Sequence, residues 1–191
     1  MGLKKGRILA VIIVVLAYAI VLLIQNPGPN VRDNEEWSLR VDGLVQNPLS
    51  LSFDELLAMP KTTVYAKIYR MGAPDNVIEE GNWTGVRLGL LLQNAGVSSG
   101  AIKVAFFASD GYATDLTVQD ANDENIIVAY EKDGKRLIGI TKEGPSVRLV
   151  VPGRWGYKWI QDLIHIEIVD YDFKGRLENQ GNSDTGIIST G

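Results

Sequence analysis

Seventeen consecutive residues without a charge, Ile8 to Ile24, follow an N-terminal start carrying Lys4, Lys5 and Arg7. At helical rise such a run is at the short end of what crosses a bilayer. The basic flank is expected to stay in the cytoplasm, which places the rest of the chain on the other side. A cleaved signal peptide is the alternative. Ala17-Tyr18-Ala19 resembles a cleavage site, but apolar Ile20 to Ile24 continues past it. The polar break comes only at Gln25-Asn26-Pro27, so an uncleaved anchor is preferred. Either way the expected location is the cell membrane, single-pass, with an extracytoplasmic body and the membrane itself as a partner.

Composition narrows the chemistry of that body. The chain has 191 residues and no cysteine, so disulfides, thiolate metal sites and cysteine nucleophiles are excluded. It has one histidine, His165, so a histidine-rich zinc site is excluded as well. Setting aside Lys4, Lys5 and Arg7 leaves 16 cationic against 23 anionic side chains, a net charge of −7. A chain of that charge is not built to bind nucleic acid.

The expected organisation is an anchor or signal peptide over 1–24, a Pro/Asn-rich linker over 25–36, one domain over 37–184, and a tail over 185–191. Trp37 to Val45 alternates as a strand. Ser52 with Glu55 forms a capping box for a helix over Phe53 to Met59, ended by Pro60. Thr62 to Tyr69 reads as a strand, and Met71 to Asn82 as an excursion. Trp83-Thr84-Gly85-Val86 then leads into a helix, Leu88 to Ala95, stopped by Gly96. Strands are expected over Val104–Ser109, Ala113–Val118 and Ile126–Glu131, with one helical turn over Ala121–Glu124. Asp133-Gly134 is a hairpin signal. Leu163 to Tyr171 alternates, with Ile164, Ile166 and Ile168 on one face and His165 and Glu167 on the other.

The stretch Gly144 to Trp159, GPSVRLVVPGRWGYKW, stands apart. Arg148 interrupts the apolar strand Val147–Val151, and a charge in such a run must find a partner or water. Pro152-Gly153 breaks the strand and delivers Arg154, Trp155, Tyr157 and Lys158. From Lys142 to Lys158 the local charge is +3 in an otherwise acidic body. Cationic donors, a close backbone at glycine and aromatic faces suit an anion with a flat ring attached. A plain strand and turn with a snorkelling arginine is the bland alternative.

Seven pieces, in order, resemble the oxidoreductase molybdopterin-binding domain of the sulfite oxidase family. They are WSLRVDGLVQNPLSLSFDELLAMP, WTGVRLGLLLQNAGV, DGYATDL, VAYEKDGKRL, GPSVRLVVPGRWGYKW, IHIEI and GRLENQGNSD, together reaching from about Trp37 to Asp184. The resemblance implies an α+β architecture, the mixed α/β sulfite-oxidase-type fold with many short strands, here preceded by one transmembrane helix. It implies molybdopterin as a cofactor. Arg148, Gly153, Tyr157 and Lys158 match positions of its cofactor-binding loop, and Asp110 and Tyr112 match its Asp-Gly-Tyr turn. A tight turn with a packed tyrosine is the structural alternative for that last pair.

The departures are as informative. Where the family places a metal-ligating cysteine, at the end of the strand after the first helix, this chain has Arg70 or its neighbour Tyr69. A guanidinium is permanently cationic and cannot ligate a metal. No metal ligand is assigned. Gln161 and Asp162 stand where the family often has lysine and tryptophan, and Leu177 replaces another tryptophan.

Two functions follow as expectations. One is an extracytoplasmic oxidoreductase with an atypical metal site, working with a membrane redox partner, in which Arg148 and Lys158 hold a phosphate. The other is a non-catalytic binding or interaction module that holds another anionic ligand among Arg70, Arg148 and Lys158, or docks on a membrane protein. A hydrolase is poorly supported, because His165 lies mid-strand beside Glu167 with no serine in a nucleophile-elbow setting.

Overall fold

The computed structural model describes residues 37–140 and 144–188. The expected anchor over Ile8–Ile24, the 25–36 linker, Lys142 and the last three residues lie outside the described residues. Among the described residues no helix is long and apolar enough to cross a membrane.

Strands β1 (Ser38–Gly43) and β2 (Leu49–Ser52) pair antiparallel. Ser52 then caps helix α1 (Phe53–Ala58). Its hydroxyl accepts the Glu55 N–H at 3.3 Å, and the Glu55 carboxylate accepts the Ser52 N–H at 2.8 Å. Two of the helix's orphan donors are thereby satisfied. Strands β3 (Lys61–Tyr69) and β4 (Val77–Arg87) form a long antiparallel pair. Helix α2 (Leu88–Ala95) follows and buries Leu88, Leu91, Leu92 and Ala95. It stops where Gly96 takes a left-handed conformation, φ +69°.

Next come β5 (Lys103–Ala108), β6 (Ala113–Thr117) and the short α3 (Val118–Ala121). Strands β7 (Ile127–Lys132) and β8 (Lys135–Arg136) are joined at Asp133-Gly134, both with positive φ, as the hairpin signal anticipated. The short β9 (Arg148–Val150) and β10 (Leu163–Val169) complete the strands among the described residues. Sheet one has the order β2-β1-β10-β5-β6, with β1 and β10 parallel. Sheet two has the order β3-β4-β7-β8, with β9 also on β7. Leu39, Val41, Phe106 and Ile166 of sheet one join Trp83, Val86 and Val128 of sheet two and Leu88 and Leu91 of α2 in one buried cluster.

Three local expectations are corrected. The Met71–Asn82 excursion contains the first half of β4, and Trp83 to Val86 lead into the helix at Leu88 as the end of that strand. Glu79 and Glu80 are tolerated there because Arg148, Lys132 and Lys67 pair with them. The helical turn expected over Ala121–Glu124 begins earlier, because Thr117 accepts the Asp120 N–H as an N-cap. Ile164 is not on the core face. The register shifts between Leu163 and His165, so Leu163 is buried and Ile164 is exposed.

Candidate functional site

Strand β9 places Arg148 opposite Ala129 of β7. Its guanidinium lies 2.8 Å from the Glu79 carboxylate, with Cζ 5.5 Å from the centre of the Trp83 ring. Lys132 Nζ is 5.6 Å from the same ring and 3.3 Å from Glu79. Trp83 is wholly buried and meets Trp159 edge-on, ring centres 6.0 Å apart. A fully desolvated indole thus carries two cations that share one carboxylate. Burial holds the Arg148 pKa down, against the pull of Glu79. Its Nε is buried and makes no hydrogen bond among the described residues.

Lys158 follows a different course. It ends the short 3₁₀ turn Gly156–Lys158, and its side chain is wholly buried. Nζ lies 2.5 Å from Glu178 Oε1, 3.1 Å from Asp115 Oδ1 and 3.0 Å from the Asp115 carbonyl. The Asp115 carbonyl and carboxylate accept two hydrogen bonds from the ammonium, and Glu178 adds an ion pair. Asp115 also accepts from Lys103 Nζ at 2.5 Å, and Lys103 reaches Asp184 at 2.7 Å. Thr114 donates to Glu178 at 2.7 Å. Burial pulls the Lys103 pKa down, but its bonds to Asp115 and Asp184 outweigh this and leave it raised. Burial pushes the Asp115 carboxyl up, opposed by Lys103 and Lys158.

The other expected residues are dispersed. Asp110 accepts the Tyr112 N–H at 2.8 Å across a turn at Gly111, and the Tyr112 hydroxyl donates to the Tyr157 carbonyl at 2.7 Å. Burial raises the phenol pKa of both tyrosines. Gly153 lines a cleft of about 400 Å³ with Asp120, Asn122, Pro152, Arg154 and Ile187. Arg70 is exposed on the turn after β3 and has no side-chain partner among the described residues. The cations Arg70, Arg148 and Lys158 therefore share no common partner. His165 pairs with Asp42 at 2.6 Å and stacks on Phe107, with no nucleophile in that set.

Sequence reasoning missed Lys103, Asp115 and Glu178. The signals were present but small. Lys103 opens an apolar strand and Asp115 sits mid-strand between Thr114 and Leu116, each a charge where burial without a partner is costly. The tail assigned from Thr185 onward also holds contacts back to the body as far as Ile188.

This fold and loop arrangement define a class. The family described as the oxidoreductase molybdopterin binding domain matches residues 25–177, and the chain belongs to that family. It is 30% identical over 156 residues to an uncharacterised oxidoreductase, YuiH, of Bacillus subtilis, covering 80% of this chain and 75% of that protein. It is 28% identical over 153 residues to the protein-methionine-sulfoxide reductase catalytic subunit MsrP of Gluconobacter oxydans, covering 71% of this chain and 48% of that one. Nitrate reductase [NADH] of Volvox carteri is 30% identical over 178 residues, which is 76% of this chain but 20% of that protein. Among solved structures, the sulfane dehydrogenase SoxCD from Paracoccus pantotrophus shares the fold, with a TM-score of 0.62 at 24% identity, covering 71% of this chain and 38% of that one. The chain thus spans three quarters of YuiH and under half of the others.

The residues present do not fit the metal-bearing form of the family's cofactor in its usual seat. No thiolate exists in the chain, and Arg70 cannot ligate. Among the described residues no three His, Asp or Glu side chains are gathered as a metal-binding group. Lys158 is wholly buried against Asp115 and Glu178 and is not presented to a phosphate. Arg148 Nε is a buried donor that makes no hydrogen bond among the described residues.

Proposed function

We propose that this chain is a membrane-anchored, extracytoplasmic member of the family in which the fold serves as a binding or interaction module, without a protein-held metal. The observation that carries this reading is the enclosure of Lys158. A cation that would have to face a ligand is wholly buried between Asp115 and Glu178. The lack of cysteine and the Tyr69-Arg70 pair at the metal-facing strand end point the same way. The charge-free run Ile8–Ile24 behind a basic flank supports the anchor. The test is metal and pterin content of the full chain, purified from a host that makes molybdopterin. Molybdenum and tungsten far below one per chain are expected, and stoichiometric metal would overturn the reading. Retention in membranes after an alkaline wash tests the anchor.

One observation favours a second reading, a pterin-binding oxidoreductase. Arg148 Nε is buried without a partner, and an anionic ring system would supply an acceptor. Such a pterin would have to bring its metal on its own sulfurs. Stoichiometric pterin in the same preparation would support it.

A further inference from the structure

Leu137–Ile140 and Gly144–Ser146 pair as two legs of a hairpin. Ile138 and Pro145 form an antiparallel bridge. The Gly139 N–H donates to the Gly144 carbonyl at 3.1 Å, and the Ser146 N–H to the Leu137 carbonyl at 3.3 Å. Asp162 holds both legs, because its carboxylate accepts the Ile140 N–H at 2.9 Å and the Ser146 hydroxyl at 2.5 Å. Asp162 is itself buried and left-handed, φ +52°, a conformation uncommon outside glycine. Leu137 packs against the core, but Ile138 and Ile140 are 69% and 76% exposed. They are the most exposed large apolar side chains among the described residues. Ile164, two positions beyond Asp162, is 37% exposed. Exposed apolar residues scattered singly are ordinary, whereas these three gather around one buried carboxylate.

Two routes place this hairpin at the end of the domain where the chain enters it. Strand β1 runs parallel to β10 with Arg40 opposite His165, so Ser38 and Leu163 start from the same end. Asp162 immediately precedes Leu163. By the second route, Trp37 meets Phe53 edge-on with ring centres 5.3 Å apart, and Phe53 meets Tyr130 at 6.4 Å. Arg136 Cζ lies 5.5 Å and 5.2 Å from those last two rings, and the Leu137 N–H donates to the Tyr130 carbonyl at 2.9 Å. Ile102 marks the opposite end of sheet one, where its N–H donates to the carbonyl of Val169, the last residue of β10. Upstream of Trp37, residues 25–36 are all that separates the domain from the charge-free run ending at Ile24, a reach of at most about 40 Å.

We propose that Ile138, Ile140 and Ile164 seat the domain on the lipid surface of the membrane, an inference that rests on the anchor reading above. Apolar insertion carries the contact. With a net charge of −7 outside the N-terminal start, the body would be pushed away from anionic headgroups. Ile138-Gly139-Ile140 is itself uncharged and follows Lys135 and Arg136, an order that suits acyl chains beneath headgroups. The size of the patch favours lipid over a second copy of the chain. A stable protein–protein interface buries about 800 Å² on each partner, far more than three side chains supply. A surface already held within the reach of a short tether needs only a weak contact.

The chain has no cysteine, so single-cysteine variants of the full chain take a fluorescent label at one site. Ile140→Cys and Ile102→Cys, each labelled with nitrobenzoxadiazole, are reconstituted into phosphatidylcholine vesicles with and without doxyl-labelled phosphatidylcholine. Emission from position 140 should be quenched about fivefold more strongly than emission from position 102. Adding Ile138→Ser should remove roughly half of that difference while leaving thermal unfolding unchanged. Equal quenching at the two positions overturns the proposal. So does emission from position 140 that responds to the protein-to-lipid ratio but not to doxyl lipid, since a second copy would then be the occupant. Flotation with the vesicles reads the anchor separately. A chain that floats without selective quenching at position 140 refutes the seating alone, and a chain that does not float refutes the anchor along with it.

Discussion

Replacing Lys158 with methionine keeps most of the side-chain volume and removes the ammonium that joins Asp115 to Glu178. Asp115 would retain Lys103, but Glu178 would keep only the Thr114 hydroxyl. Both carboxylate side chains are 0% exposed. Removing one partner of a buried pair costs roughly 3–5 kcal/mol, because the remaining charge has neither water nor counter-ion. In a domain of this size each kcal/mol moves Tm by about 2–4 °C, so the expected fall is on the order of 10 °C. Thermal unfolding followed by circular dichroism reads this directly. The double variant K158M/E178Q should recover much of the loss, since the uncompensated charge is gone. If K158M stays within about 1 kcal/mol of wild type, Lys158 is solvated and open to a ligand, and the enclosure argument fails.

Other perturbations follow from the same contacts. Gly85→Val should cost about 3 kcal/mol or more in urea unfolding, because its Cβ would sit 2.0 Å from the Val128 carbonyl, a backbone atom that cannot swing away. Ser52→Ala should cost about 1 kcal/mol in the same assay by removing the α1 cap. The carboxyls of Glu55, Glu80 and Asp133 are held below their usual range, chiefly by hydrogen bonds from the Ser52 backbone, the Lys67 side chain and the Asn82 backbone. A depressed carboxyl stabilises the fold above its unfolded value and loses that contribution as pH falls through the folded one. Urea midpoints should therefore decline below about pH 4, with D133N flattening the decline.

Features fixed by neighbours in sequence were legible. The Ser52–Glu55 capping box, the Gly96 stop and the Asp133-Gly134 turn each depend on a few adjacent residues, and each formed where expected. The first half of β4 was not legible, because Glu79 and Glu80 look like loop residues until Lys67, Lys132 and Arg148 arrive from elsewhere in the chain. The candidate site divided in the same way. That Arg148 needs a partner could be argued from its apolar strand, and Glu79 with the face of Trp83 is that partner. That Lys158 would be enclosed could not be argued, since Asp115 and Glu178 lie 43 and 20 positions away on either side.

The place of β10 between β1 and β5 carries a kinetic consequence. The middle strand of sheet one is the last of its five to be synthesised. Until Val169 is available, β1 and β5 each present a bare inner edge, the surface on which strands of other chains can add. Pairing β1 with β10 must also close a loop of more than a hundred residues, so sheet one should form late and slowly. A chain interrupted before Leu163 would hold two hairpins with open edges rather than a smaller domain, and its hazard would be aggregation.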